Sequence, residues 1–180
     1  MKKILTSIKK RADKLRFRFS AAEYMRVAYL SPRQVVLVTT RLGSKDNVLP
    51  IDWHIPLSFF PKLYCISLES KNFSSKVIDD SKCFAVNFMP AEYEEQILKS
   101  GRISGTDGDK FELTGLDKID AEKINVPLIK DALGWLECKV TQKLITGDHT
   151  LFIGKVVNEN LNRIKLKERL YHITSLEESK

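Results

Sequence analysis

Trp135-Leu-Glu-Cys-Lys-Val-Thr-Gln-Lys-Leu144 and Leu151-Phe-Ile-Gly-Lys-Val-Val157, with Gly147-Asp148 between them, are the stretch from which the fold is read. Both runs are rich in β-branched and aromatic residues, which suit a pleated, half-buried surface. Gly-Asp between two such runs is a hairpin signal, and strands joined by a tight turn lie antiparallel. Further segments of the same type surround the pair: Val35 to Thr40, Val48 to Trp53, Leu63 to Leu68, Cys83 to Met89 and Leu170 to Ile173. Many strands at short spacing, without a helix between each pair, predict an antiparallel sheet closed or half closed into a barrel rather than a βαβ array.

Two helices interrupt the pattern. Ala91 to Lys99 follows Pro90, carries Glu92, Glu94 and Glu95 at its positive end and has Gly101 beyond its last turn, all matching helix polarity and capping preferences. A shorter one, Ser74 to Asp79, starts just after a strand. The fold class is therefore mostly β with a few short helices.

The 180 residues suffice for one domain with a real core. No unbroken apolar run exceeds four residues, as in Val35 to Val38 and Leu63 to Ile66, far short of the ~20 needed to cross a bilayer. No integral membrane association is expected. The net charge of +7 is carried by residues 1–18, which hold eight bases and one acid, while the remaining 22 bases and 22 acids cancel. A neutral body without a basic face lacks the footprint of a phosphate-backbone binder, so nucleic acid is not an expected partner.

Residues 1–25 read as a basic amphipathic arm and 26–180 as the domain. Ile4, Ile8, Ala12, Leu15 and Phe19 recur at helical steps among the bases. Docking of this stripe on the domain or on a second subunit is preferred over contact with an anionic membrane surface. Ile4 and Leu5 run straight into Thr6 and Ser7, so the arm has no apolar region of the length a secretory signal needs. Cys65, Cys83 and Cys138 are odd in number and widely spaced. They read as buried small hydrophobes in a reducing cytoplasm.

Three constellations carry chemistry. Asn72-Phe-Ser-Ser-Lys76 opens a helix after a strand. Unsatisfied N–H groups at a helix start, two hydroxyls and the charges of Lys71 and Lys76 are the parts of a phosphate site, though an ordinary N-cap uses the same residues. Ser104-Gly-Thr-Asp-Gly-Asp-Lys110-Phe is rich in turn formers, lacks the ligand spacing of a Ca²⁺ loop, and offers close backbone approach at Gly105 and Gly108. In Asp52-Trp53-His54-Ile-Pro-Leu-Ser58, Pro56 demands an edge, a bulge or a break, which frees backbone groups for a flat heterocycle; a core Trp with a loop Pro is the alternative. His54, His149 and His172 are scattered, with no metal spacing, so no metal ligand set is expected.

In their order, these constellations resemble the flavin reductase-like family, the FMN-binding split-barrel proteins that include flavoredoxins. The matching stretches are Ser31 to Arg41, Asn47 to Pro61, Phe84-Ala-Val-Asn-Phe88, Ser104 to Phe111, Leu136-Glu-Cys138 and Gly147-Asp-His-Thr-Leu-Phe-Ile-Gly154. The resemblance implies a split β-barrel of antiparallel, Greek-key-like strands, a homodimer, and FMN held non-covalently near the subunit interface. It implies that Trp53 flanks the isoalloxazine and that backbone groups of His54, Ile55, Pro56, Leu57 and Ser58 serve its pyrimidine edge. Asn72, Ser74, Ser75 and Lys76 would hold the phosphate, with Asn87, Ser104 and Gly105 as further cofactor contacts. Lys110 would reach the ring, and His149 would approach from the hairpin, as the two catalytic candidates. Where the family commonly has a basic residue and a Thr in the phosphate loop, this chain has Asn72 and Ser74.

The function implied is electron transfer from NADH or NADPH through FMN to free flavin or another acceptor. A flavoredoxin-type carrier reduced by a partner protein, without direct nicotinamide use, is the alternative. A binding module without redox turnover is the third reading.

Overall fold

The computed structural model describes residues 33–161, 169, 171 and 172. The basic arm lies outside the described residues, as do both ends of the strand expected over 170–173. The chain runs β1 (Arg33–Gln34), β2 (Val36–Leu42), β3 (Lys45–Ile51), β4 (His54–Phe59), β5 (Lys62–Glu69), α1 (Phe73–Ser81), β6 (Cys83–Phe88), α2 (Glu94–Arg102), α3 (Lys110–Thr114), β7 (Lys118–Asp120), β8 (Pro127–Ile129), β9 (Gly134–Thr146), β10 (His149–Asn160) and β11 (Tyr171–His172). Seven strands form one sheet in the order β3-β2-β6-β9-β10-β5-β4, with every neighbouring pair antiparallel.

The expected hairpin is present. Thr146 pairs with His149 across the turn, and Gly147 takes φ +61° there, a left-handed conformation that glycine adopts without steric cost. Leu49 and Ile51 of β3 share one buried cluster with Tyr64, Ile66 and Leu68 of β5. β3 ends the sheet order and β5 stands next to its other end, so the sheet curls on itself as an open barrel whose unpaired edges are β3 and β4.

β2 shows why its sequence is an unbroken apolar run. Val36 and Val38 enter the barrel core with Phe84, Val86 and Phe152, while Leu37, on the opposite face, packs with Met89, Ile97 and Phe111 under α2 and α3. A strand covered on both faces loses the apolar/polar alternation of a half-exposed one. Burying one Phe such as Phe84 or Phe152, both at most 1% exposed, stabilises the fold by roughly 1.5–3 kcal/mol.

The structure differs from the sequence reading at several points. β4 is a strand through Pro56, paired only with β5 and bulged between Pro56 and Ser58, which realises the edge and bulge options together. Gly101 lies inside α2 rather than beyond it; a Cβ there would meet the Pro50 ring at 3.0 Å, so the residue is small to let the helix approach β3. The end of the Ser104–Phe111 loop is helical, because the Asp109 carboxylate accepts from the Phe111 and Glu112 amides and caps α3. β7 and β8, three residues each, carry no periodic signal.

Candidate functional site

The start of α1, β3 and the Ser104–Asp107 turn meet in one corner. Asn72 is the N-cap of α1 and makes no side-chain capping bond. Its carbonyl accepts from the Ser75 and Lys76 amides, so the Phe73 and Ser74 amides precede the first intrahelical bond, at the end of the helix that carries partial positive charge. Ser74 is buried, and its hydroxyl oxygen accepts from Asn47 Nδ2 at 2.9 Å. Gly105 completes the corner: a Cβ there would lie 2.4 Å from the Phe73 ring and 2.9 Å from Asn47 Oδ1. Lys45 Nζ sits 5.7 Å from the Phe73 ring centroid, and Asn72 and Lys76 are exposed.

Not every expected hydroxyl faces outward. Ser75 Oγ donates to the Glu69 carbonyl at 2.8 Å, which spends its proton on the loop. Ser104 Oγ bonds Thr106 Oγ1 at 2.8 Å, while its amide donates to Asp107, so this residue shapes the turn. The loop entering α1 is tied to the hairpin by Ser70, whose amide donates to the Asp148 carbonyl and whose hydroxyl bonds Thr150 at 2.8 Å.

That tie brings the second constellation to the same end of the barrel. Trp53 and His149 stack with ring centroids 4.7 Å apart and planes inclined by 26°. The Trp53 carbonyl accepts from the Ser67 amide, and His149 pairs in register with Glu69, the residue from which the corner loop departs. His149 Nδ1 contacts Asp148 Oδ1 at 2.7 Å, and this contact holds the Asp148 carboxyl below its ordinary range.

His54 points elsewhere. Its Nε2 meets the Gln34 carbonyl at 2.9 Å, an oxygen that only accepts, so Nε2 carries the hydrogen. The neutral ring then accepts at Nδ1 from Tyr64 O–H, 2.6 Å away. Burial lowers the His54 pKa, opposed by the Gln34 bond and the charge of Asp52. The imidazole anchors β4 to β1, leaving the strand's backbone edge from Ile55 to Ser58 as the part open to a ligand. Ile55, Leu57, Phe59 and Phe60 are exposed along it.

Lys110 begins α3 and is 4% exposed. Burial pushes its pKa down to about 8, against the opposing charge of Asp107. Among the described residues no carboxylate forms an ion pair with it, and no ring or hydrogen-bond contact joins it to Trp53 or His149. A buried amine held in no ion pair is costly, and an anionic ligand edge would relieve it.

Asn87 requires a correction. Its Nδ2 donates to the Leu37 carbonyl and to Thr39 Oγ1, both at 3.1 Å, and its Oδ1 accepts from the Ile129 amide at 2.9 Å. With no exposed surface, it joins β6 to β2 and β8 and is closed off from a cofactor. The three thiols are free and buried, and burial raises each pKa. Sequence reasoning missed Asn47 and Lys45. The signal for Asn47 was a lone amide beside an apolar run, Asn47-Val-Leu; for Lys45 there was none.

Comparison with known proteins bears directly on this arrangement. Residues 28–177 match the family model described as Flavin reductase like domain. An uncharacterized protein of Archaeoglobus fulgidus is 33% identical over 130 residues, covering 72% of this chain and 73% of its own. The NADH-dependent FMN reductase AsuE2 of Streptomyces nodosus subsp. asukaensis is 28% identical, covering 74% of this chain and 71% of its own. The FMN-binding protein of Thermus thermophilus, solved with p-hydroxybenzaldehyde bound, superimposes with a TM-score of 0.69 at 25% identity over 74% of each chain.

Proposed function

The chain belongs to the flavin reductase-like family, and from that premise we propose that it binds FMN and passes electrons from NADH or NADPH to free flavin or another acceptor. The observation that carries the reading is a set of unspent polar groups at one end of the barrel. Asn47 Oδ1 is buried without a partner, Gly105 leaves space that a Cβ would fill, and Lys110 is a buried cation with no ion-pair contact among the described residues. Lys110 and the early amides of α1 fit a ligand with an anionic tail, while Asn47 Oδ1, an acceptor, can take only a donor.

When bound, FMN supplies two-electron chemistry, accepting from a nicotinamide and releasing to an acceptor. The protein's part is binding and electrostatics. The Phe73 and Ser74 amides and the Ser74 hydroxyl donate to the phosphate, with Lys45 and Lys76 adding charge. Trp53 and His149 form the aromatic wall, and the backbone edge of β4 serves the polar edge of the ring. Lys110 would supply positive charge to a bound flavin, and a cation near the ring would favour the reduced, more negative form. The exposed side chains of Ile55, Leu57, Phe59 and Phe60 support a homodimer that covers them and leaves the backbone edge of β4 to the ligand. No helix among the described residues is long and apolar enough to cross a membrane, and the buried free thiols suit a cytoplasmic location.

The test is anaerobic titration of the FMN-loaded protein with NADH and with NADPH, followed at the flavin bands. Bleaching by either nucleotide is expected. A yellow protein that ignores both identifies the carrier reduced by a partner protein, and a protein that retains no flavin refutes the reading.

A further inference from the structure

Asn47 touches the phosphate corner without belonging to its helix or its loop. It is 1% exposed, and its Nδ2 donates to Ser74 Oγ at 2.9 Å and to Thr40 Oγ1 at 3.4 Å. Its Oδ1 has no donor and faces the site of the absent Gly105 side chain, 2.9 Å from where a Cβ would be. A buried amide left half satisfied in a native fold calls for an explanation.

The orientation of the amide supplies one. A hydroxyl has one proton and two lone pairs. With Nδ2 donating into the Ser74 oxygen, one lone pair is taken and the proton remains, and no acceptor among the described residues claims it. That proton belongs to a buried hydroxyl on the first turn of α1, a nine-residue helix, whose early amides also lack partners. The amide forgoes a bond at Oδ1, and in return the hydroxyl is held as a donor at the helix start.

We propose that Asn47 is a positioning residue that commits the Ser74 hydroxyl to donating into the corner and so sets the preference for a phosphate ester over an uncharged polyol. This rests on the FMN reading, and the experiment separates the two. Dissociation constants for FMN and riboflavin, which differ only by the phosphate, are measured by flavin fluorescence. The unsubstituted protein is expected to prefer FMN, and Asn47→Ala to reduce the FMN-over-riboflavin ratio about fivefold, the effect of one lost hydrogen bond, while leaving riboflavin binding nearly unchanged. Asn47→Asp, which accepts from Ser74 and adds negative charge, should reduce the ratio further. In a Ser74→Ala background, Asn47→Ala should leave the ratio where Ser74→Ala alone puts it, because the effect runs through that hydroxyl. Equal weakening of both flavins, or an undiminished effect without the Ser74 hydroxyl, overturns the role of Asn47. Equal binding of both flavins by the unsubstituted protein refutes the phosphate corner itself. If Asn47→Asp fails to fold, the Asn47→Ala pair decides.

Discussion

Replacing Lys110 by Met should make the flavin-free protein more stable at neutral pH. Burial lowers the folded-state pKa of this lysine from the ordinary 10.5 to about 8. The difference of ~2.5 pH units, at about 1.4 kcal/mol each, corresponds to a penalty on the order of 3 kcal/mol for keeping the amine charged in the fold. The sign follows from proton counts. Below pH 8 both states are protonated and the full penalty is present. Between about 8 and 10.5 the unfolded chain binds the proton and the folded chain does not, so stability rises with pH across that window. Met is close to Lys in length and keeps the packing. Urea denaturation of both proteins at pH 7, 8.5, 9.5 and 10.5 should therefore show the variant ahead at pH 7 by up to that amount, with the gap closing as pH rises. A variant no more stable at pH 7, or a gap that does not narrow, refutes the description of Lys110 as a buried, unpaired cation. With FMN bound, the substitution should weaken the reduced form more than the oxidised one, lowering the midpoint potential by about 30 mV for each 1.4 kcal/mol of difference.

Two further expectations test other parts of the structure. Asn87→Leu removes the side-chain donor to the Leu37 carbonyl and the acceptor of the Ile129 amide and should cost about 1–3 kcal/mol in chemical denaturation, with FMN affinity of the folded protein unchanged; a selective loss of FMN binding would return Asn87 to the site. Phe59→Asp combined with Phe60→Asp, at residues 84% and 96% exposed, should convert a dimer to a monomer in sedimentation without loss of helix or sheet signal, and an unchanged mass would exclude this edge as the interface.

The barrel was legible because its strands carry their own signals: Gly147-Asp148 between two β-branched runs, and Val35 to Thr40 as a β-branched run of strand type. What escaped was set by tertiary contacts. Gly101 reads as a helix stop until Pro50 is seen against it, and α3 depends on one cap at Asp109. In the candidate site, residues from separate stretches come together: Ser74 lies against Asn47 and Trp53 against His149. Their order could not separate residues with spent side chains from those with free ones. Asn87 and Ser75 are of types suited to ligand contact, yet the fold uses their hydrogen bonds internally. Asn47, in the apolar β3, reveals its importance only once Ser74, distant in sequence, is beside it.

The bulged edge at Pro56 has one last consequence. An open ribbon bearing Ile55, Leu57 and Phe59 invites runaway pairing with neighbouring chains, the route to insoluble fibres. Proline has no N–H to offer such a neighbour, and the irregularity between Pro56 and Ser58 twists the ladder out of register. The edge therefore leaves its apolar side chains exposed while opposing endless strand-by-strand growth at the very place where the sheet is most open to it.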